Sequence, residues 1–297
     1  MLREIADLGF EYAELSHGIR VSLMPGILEA VDSGEIKIST LHNFCPLPMG
    51  VTYAAPNLYE FSSEKIRDQD LALRHTLKTI EFATRVDAKL IVLHFGSMDL
   101  KDYTGKLAAM LERGERKTPK YEKLLLEAVK AREARKEKAY ARSRAFLKKI
   151  IPEAEKRNLK LGIECREAVQ ELPLEGDFTS LFHEMGSPAV VYWHDTGHAQ
   201  IKENLGFINH VAHLASLAEH LAGFHIHDVQ FPVRDHCPPG TGTIDFGALA
   251  PMVRPHHLKV FEFSPSMSVE NARLGIEHIK RIWGNDMPKA QSLTLKA

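Results

Sequence analysis

Short apolar runs rich in β-branched residues alternate with amphipathic stretches along almost the whole chain, the pattern of strands buried on both faces and separated by helices. A first helix is expected where Leu2, Ile5, Ala6 and Leu8 fall in register before Gly9. A strand follows at 10–16 (FEYAELS), and an amphipathic piece from Met24 to Val31 leads to a second at 36–44 (IKISTLHNF). A helix over 64–86 precedes AKLIVLHFG (88–96), and a long basic helical region precedes LKLGIECR (159–166). Helices at 178–185, 208–221 and 245–253 precede AVVYWHDTGH, GFHIHDV and LKVFEFS, and a last helix covers 269–283.

Seven strands, each followed by a helix and with no Gly/Pro-rich linker between them, predict one α/β domain over 1–297. Its architecture is a (β/α)8 TIM barrel lacking the usual N-terminal first strand. An unfilled position would leave two strand edges open. The segment QSLTLKA (291–297) alternates apolar and polar residues after the last helix, so it is expected to close the barrel in a permuted order. A doubly wound open sheet fits less well, because the first βα turns carry no Gly-rich phosphate-binding signature.

Composition adds limits. A 44% apolar content supports a sizeable core, no apolar stretch approaches a membrane span, and MLREIADLGF is charged from its third residue, so the default compartment is the cytoplasm. Cys45, Cys165 and Cys237 are too scattered for a disulfide framework and are expected as reduced thiols. Charge is uneven: 112–149 holds 14 basic against 6 acidic residues, leaving 24 basic and 33 acidic elsewhere. The region is expected to be a solvated helical insertion at about 98–149, buried through Leu125, Val129, Ala139, Phe146 and Ile150. Nucleic acid and membrane are not expected partners, and a homo-oligomer is compatible with the chain.

The chemistry gathers at strand ends. His42, His94, Glu164, Asp195, His225 and Glu262 each end an apolar run, and barrel active sites lie at that end of the strands. Residues two apart share a face, so Thr40, Val92, Gly162, Trp193, Gly223 and Val260 should point inward with them, while Leu93, Ile163 and Phe261 face the helices. Period alone does not separate His225 from His227. Two glutamates, one aspartate and one histidine form an oxygen-rich set suited to Mn²⁺, Mg²⁺, Co²⁺ or Zn²⁺, and converging carboxylates need a cation. Asp195-Thr-Gly-His198 is expected to turn at Gly197 so that both side chains reach one site, with Trp193 as an apolar wall for a sugar ring.

Taken in order, HNFCPLP, IVLHFGS, GIECRE, YWHDTGHAQ, HIHDV, DHCPPGTGTIDF and FEFSP resemble the motifs of the xylose-isomerase-like TIM-barrel superfamily. That group includes sugar and sugar-phosphate isomerases and epimerases and is related to endonuclease IV. The resemblance implies a metal held by Glu164, Asp195, His225 and Glu262, with Glu164 and Glu262 as the acid/base pair. It implies that His198 holds substrate or orients a ligand, and that Arg166 or Arg234 binds a hydroxyl-rich or anionic substrate. His42, His94, His198 and His236 match the additional histidines of the endonuclease branch, as a second-metal or pocket-lining set. Arg234 stands where that branch has an aspartate, which should oppose a third metal. PPGTG (238–242) matches a glycine-rich loop expected to approach substrate through its backbone.

The expected function is isomerisation or epimerisation of a carbohydrate by proton transfer α to a carbonyl. The alternatives are a lyase or dehydratase acting on a keto-inositol, a phosphodiester hydrolase acting on abasic DNA, and a non-catalytic metal- or sugar-binding protein.

Overall fold

The computed structural model describes residues 2–284 together with the backbone of 291–295. Its strands are β1 (Tyr12–Leu15), β2 (Lys37–His42), β3 (Leu90–Leu93), β4 (Lys160–Glu164), β5 (Val190–Asp195) and β6 (Leu221–Ile226). A short hairpin of β7 (Asp228–Gln230) and β8 (Arg234–Cys237) precedes β9 (Leu258–Phe261) and β10 (Gln291–Leu295). All but the hairpin form a closed parallel barrel in the order β1-β10-β9-β6-β5-β4-β3-β2. The C-terminal segment closes it as expected: Ser292 pairs with Tyr12 of β1 on one side and Val260 of β9 on the other. Residues 285–290, which lead into β10, and 296–297 lie outside the described residues.

The helices are α1 (Leu2–Asp7), α2 (Met24–Asp32), α3 (Ile66–Arg85), α4 (Tyr103–Glu112), α5 (Pro119–Lys156), α6 (Phe178–Met185), α7 (Thr196–Leu205), α8 (His210–Ser216), α9 (Phe246–Leu249) and α10 (Val269–Trp283). The basic region falls on the end of α4 and most of α5, which starts at the cap Thr118 with Pro119 in its first turn. Ala139, Phe146 and Ile150 are buried as expected, whereas Val129 is 40% exposed. The buried line of the first half runs instead through Tyr121, Ala128 and Arg132, and Val129 lies about 100° around the helix from Ala128. The helices expected at 208–221 and 245–253 shrink to α8 and to the single turn α9, and α7 is an addition. None of the helices among the described residues is long and apolar enough to cross a membrane.

Strand parity comes out as read. Leu93, Ile163 and Phe261 join the outer core against the helices, while Leu90, Val92, Trp193 and Val260 form a separate apolar cluster inside the barrel. The two glycines among the inward residues make room for Trp193: a Cβ on Gly223 would sit 2.5 Å from its Cζ3, and one on Gly162 would sit 3.3 Å from its Cβ. Trp193 is therefore fully buried, its ring edge-on to His225 at 5.1 Å. It floors the site from beneath, and the expectation that it walls a sugar ring is corrected.

Candidate functional site

Four strands deliver Glu164, Asp195, His225 and Glu262 to one point at their C-terminal ends. One ligand atom from each lies within 4.8 Å of the others, and all four side chains are buried. The Nδ1 of His225 is central, 2.7 Å from Glu164, 3.0 Å from Glu262 and 3.8 Å from Asp195. Burial alone would favour neutral carboxyls, yet Arg166 and His225 hold Glu164 well below the usual carboxylate range. Asp195 is likewise lowered against the effect of burial, by His198 and His227. For His225, burial disfavours the imidazolium, but Glu14 and Glu262 outweigh it and raise its pKa well above the ordinary value.

Asp195 is fixed by the start of α7. It is the N-cap residue of that helix, and its Oδ1 accepts from the His198 amide at 2.8 Å. A helical first turn, not the expected sharp turn at Gly197, brings Asp195 and His198 together. Gly197 is needed for space, since a Cβ there would lie 2.0 Å from Cε1 of His227. His227 accepts the His236 amide at Nδ1 (2.9 Å), so its Nε2–H donates to Asp195 at 3.0 Å. Both of its nitrogens are committed. His225 meets Glu164 and Glu262, whereas His227 meets Asp195 and also groups with His236 and Glu262.

A second group, His42, His94 and Glu164, shares Glu164 with the first. His42 donates from Nδ1 to the Asn43 carbonyl (3.2 Å), and His94 donates from Nδ1 to Oδ1 of Asn57 (2.6 Å). Nε2 of His42 and of His94 both lie near Glu164 Oε2, at 3.8 and 3.1 Å. His94 is neutral, its pKa pushed down to about 3 chiefly by burial and by Arg166.

Arg166 is largely enclosed and committed to carboxylates, 2.7 Å from Glu164 and 3.0 Å from Glu171. It holds Glu164 in place, a different role from the expected contact with substrate. Arg234 is exposed on β8 and donates to Gln230 at 3.3 Å, so it is not part of the site. The neighbouring Asp235 forms a further group with Glu167 and His198. His198 donates from Nδ1 to the Cys165 carbonyl at 3.1 Å. His236 adopts φ +52°, stacks on His227 at 4.3 Å, meets Asp235 at 2.9 Å and lies 3.5 Å from Glu262.

The glycine-rich loop is also placed differently. Amides of Gly240 and Gly242 donate to Asp228 Oδ2 at 2.9 and 2.8 Å, and Val229 and Ile244 donate to Oδ1. These amides brace the loop and are not offered to substrate. The sequence reading passed over Glu14, which is fully buried on β1 within 3.0 Å of His225 Nε2. Its signal was available, since Ala13 and Leu15 beside it pack outward and force it inward. Cys45, Cys165 and Cys237 are free and buried, as expected.

Comparison with known proteins agrees with this architecture. A family model described as "Xylose isomerase-like TIM barrel" matches residues 2–282. The sequence matches none of the curated proteins. Among solved structures, a D-tagatose 3-epimerase-like protein superposes with a TM-score of 0.66 at 17% identity, over 94% of this chain and 91% of that one. The 3-keto-D-glucoside 4-epimerase of E. coli gives 0.65 at 14%, over 94% and 92%. A D-psicose 3-epimerase crystallised with D-fructose gives 0.64 at 13%, over 95% and 92%. At such identities the likeness establishes the fold.

Proposed function

Because this chain belongs to the xylose isomerase-like TIM barrel family, we propose that it is a metal-dependent isomerase or epimerase of a sugar or polyol, working by proton transfer α to a carbonyl. The observation that carries this reading is the buried quartet of Glu164, Asp195, His225 and Glu262, with ligand atoms within 4.8 Å of one another. Three carboxylates at that spacing, out of water, are stable only beside positive charge, and their oxygen-rich donor set fits Mn²⁺, Mg²⁺, Co²⁺ or Zn²⁺. A divalent ion held there supplies Lewis-acid stabilisation of charge developing on a substrate oxygen.

The protein's own groups divide the remaining work. Glu164 is pinned by Arg166 and His225, so its carboxylate is held in one orientation and ionised. Glu262 faces His236, whose side chain is 18% exposed, giving a proton on Glu262 a short way to solvent. Glu262 is thus the better placed base, and Glu164 the opposing partner. Neighbours in fold that are named as tagatose, psicose and 3-keto-glucoside epimerases are consistent with a carbohydrate substrate.

The test is metal analysis of the purified protein combined with deuterium uptake from D₂O into a panel of ketoses. Bound divalent metal and α-proton exchange on at least one sugar are expected; absence of exchange on every sugar sinks the reading. A second reading, phosphodiester hydrolysis, is favoured by one observation: the groups His42/His94/Glu164 and Glu167/His198/Asp235 accompany the quartet, as a multi-metal site would require. Nicking of an abasic duplex without sugar exchange would favour it.

A further inference from the structure

Inside the barrel the layer beneath the quartet is Leu90, Val92, Trp193 and Val260, the apolar filling that such interiors require. Glu14 breaks that pattern. It is 0% exposed, and a carboxylate in that position is strongly disfavoured unless its partners are fixed. Pairing of β1 with β2 slips by one residue between Ala13 and Glu14, which brings Glu14 opposite Thr40, and the Thr40 hydroxyl donates to Glu14 Oε2 at 2.7 Å. Oε1 then lies 3.0 Å from Nε2 of His225 and Oε2 lies 3.2 Å from it, so the carboxylate spans that nitrogen.

We infer that Glu14 is a positioning residue for cation binding: it takes the Nε2–H of His225, so that Nδ1 presents its lone pair to the ion held by Glu164, Asp195 and Glu262. The inference rests on the metal-dependent reading above. Its geometric basis is that His225 meets carboxylates from both ring nitrogens, and only Nδ1 lies among the three that converge with it. A carboxylate behind a metal-binding imidazole fixes the tautomer, locks the ring plane and makes the nitrogen more basic. Thr40 fixes Glu14 in turn.

The experiment measures affinity and not turnover. Mn²⁺ and Co²⁺ are titrated into metal-stripped wild type, Glu14→Gln, Glu14→Leu and Thr40→Val, with circular dichroism confirming that each is folded. Glu14→Gln keeps an acceptor and loses the charge; its Kd should rise about 10-fold. Glu14→Leu removes both, and its Kd should rise roughly 100-fold. Thr40→Val should rise less than either, and the Co²⁺ absorption bands should shift in the Glu14 variants. Folded Glu14 variants that bind both ions within twofold of wild type overturn the inference. A wild type that binds neither ion instead overturns the metal-dependent reading, so the two failures are distinct. If Glu14→Leu does not fold, the isosteric Glu14→Gln decides.

Discussion

Nε2 of His94 stands 3.1 Å from Oε2 of Glu164, and neither atom carries a proton to share. The Nδ1–H of His94 goes to Asn57, burial keeps the ring neutral, and Glu164 is held ionised. Two lone pairs facing each other out of water are unfavourable unless a cation lies between them, and His42 brings a third donor to the same oxygen. Asn57 would thus set the tautomer that an ion held by His42, His94 and Glu164 needs. Asn57→Leu should lower the metal stoichiometry of the purified protein or weaken its second site by about 10-fold or more, leaving the quartet site intact. Elemental analysis against protein concentration reads this out; equal stoichiometry and equal affinity in the variant would remove Asn57 from the account.

Glu262→Gln preserves shape and removes the base. Deuterium exchange into the substrate sugar should fall by roughly 10²-fold to 10⁴-fold, the usual contribution of a positioned acid or base, with the circular dichroism spectrum unchanged. Retained exchange would take Glu262 out of the proton-transfer step.

The inward placement of Glu164, Asp195, His225 and Glu262 could be read from strand period and from their place at the ends of apolar runs, while the choice of these four as a set came with the family resemblance. The barrel and its closure by 291–295 were legible for the same reason, since seven βα units leave one position to fill. What the sequence hid were relations of direction and reach. Arg166 and Arg234 are the same residue type, each beside a strand-end motif, yet one is enclosed by two glutamates and the other is exposed. Trp193 was placed on the correct face, but its height in the barrel depends on the space left by Gly162 and Gly223 across the sheet. Glu14 and Asn57 act across the fold, on His225 and His94, and no local spacing marks such partners. The short α8 and α9, and the immediate start of α7 at Asp195, reflect capping that periodicity does not resolve.

Gly197 lies where an added methyl would stand 2.0 Å from the His227 ring. Gly197→Ala should push His227 off its stack with His236 and break its bond to Asp195, destabilising the fold by about 1–3 kcal/mol. The melting temperature should drop, and divalent affinity should weaken because Asp195 loses its orienting partner. A variant with wild-type melting and wild-type affinity would show that His227 does not need that space.

Behind the site, buried histidines form one hydrogen-bonded run whose protons are all assigned. Gln200 gives its NH₂ to Asn204 and accepts from His210, whose Nε2 accepts from His194 at 2.9 Å. His194 accepts from the Tyr192 hydroxyl at 2.8 Å, and that hydroxyl accepts from His213 at 3.1 Å. His194 and His210 each donate from one nitrogen and accept at the other, which requires neutral rings, and burial, the largest cause, pushes the pKa of His210 down to about 3 and that of His213 to about 4. Unfolded histidine titrates near 6.5, so between that pH and the folded values the unfolded chain binds more protons, and stability falls as pH falls. Each ring contributes up to about 1.4 kcal/mol per pH unit in that window. His213→Gln keeps a donor to Tyr192 and removes one titrating group. Urea unfolding at pH 6.5, 5.5 and 4.5 should therefore show the variant losing less stability on acidification than wild type, by an amount approaching one proton's slope. Parallel pH dependences in the two proteins would mean that His213 is already protonated in the fold.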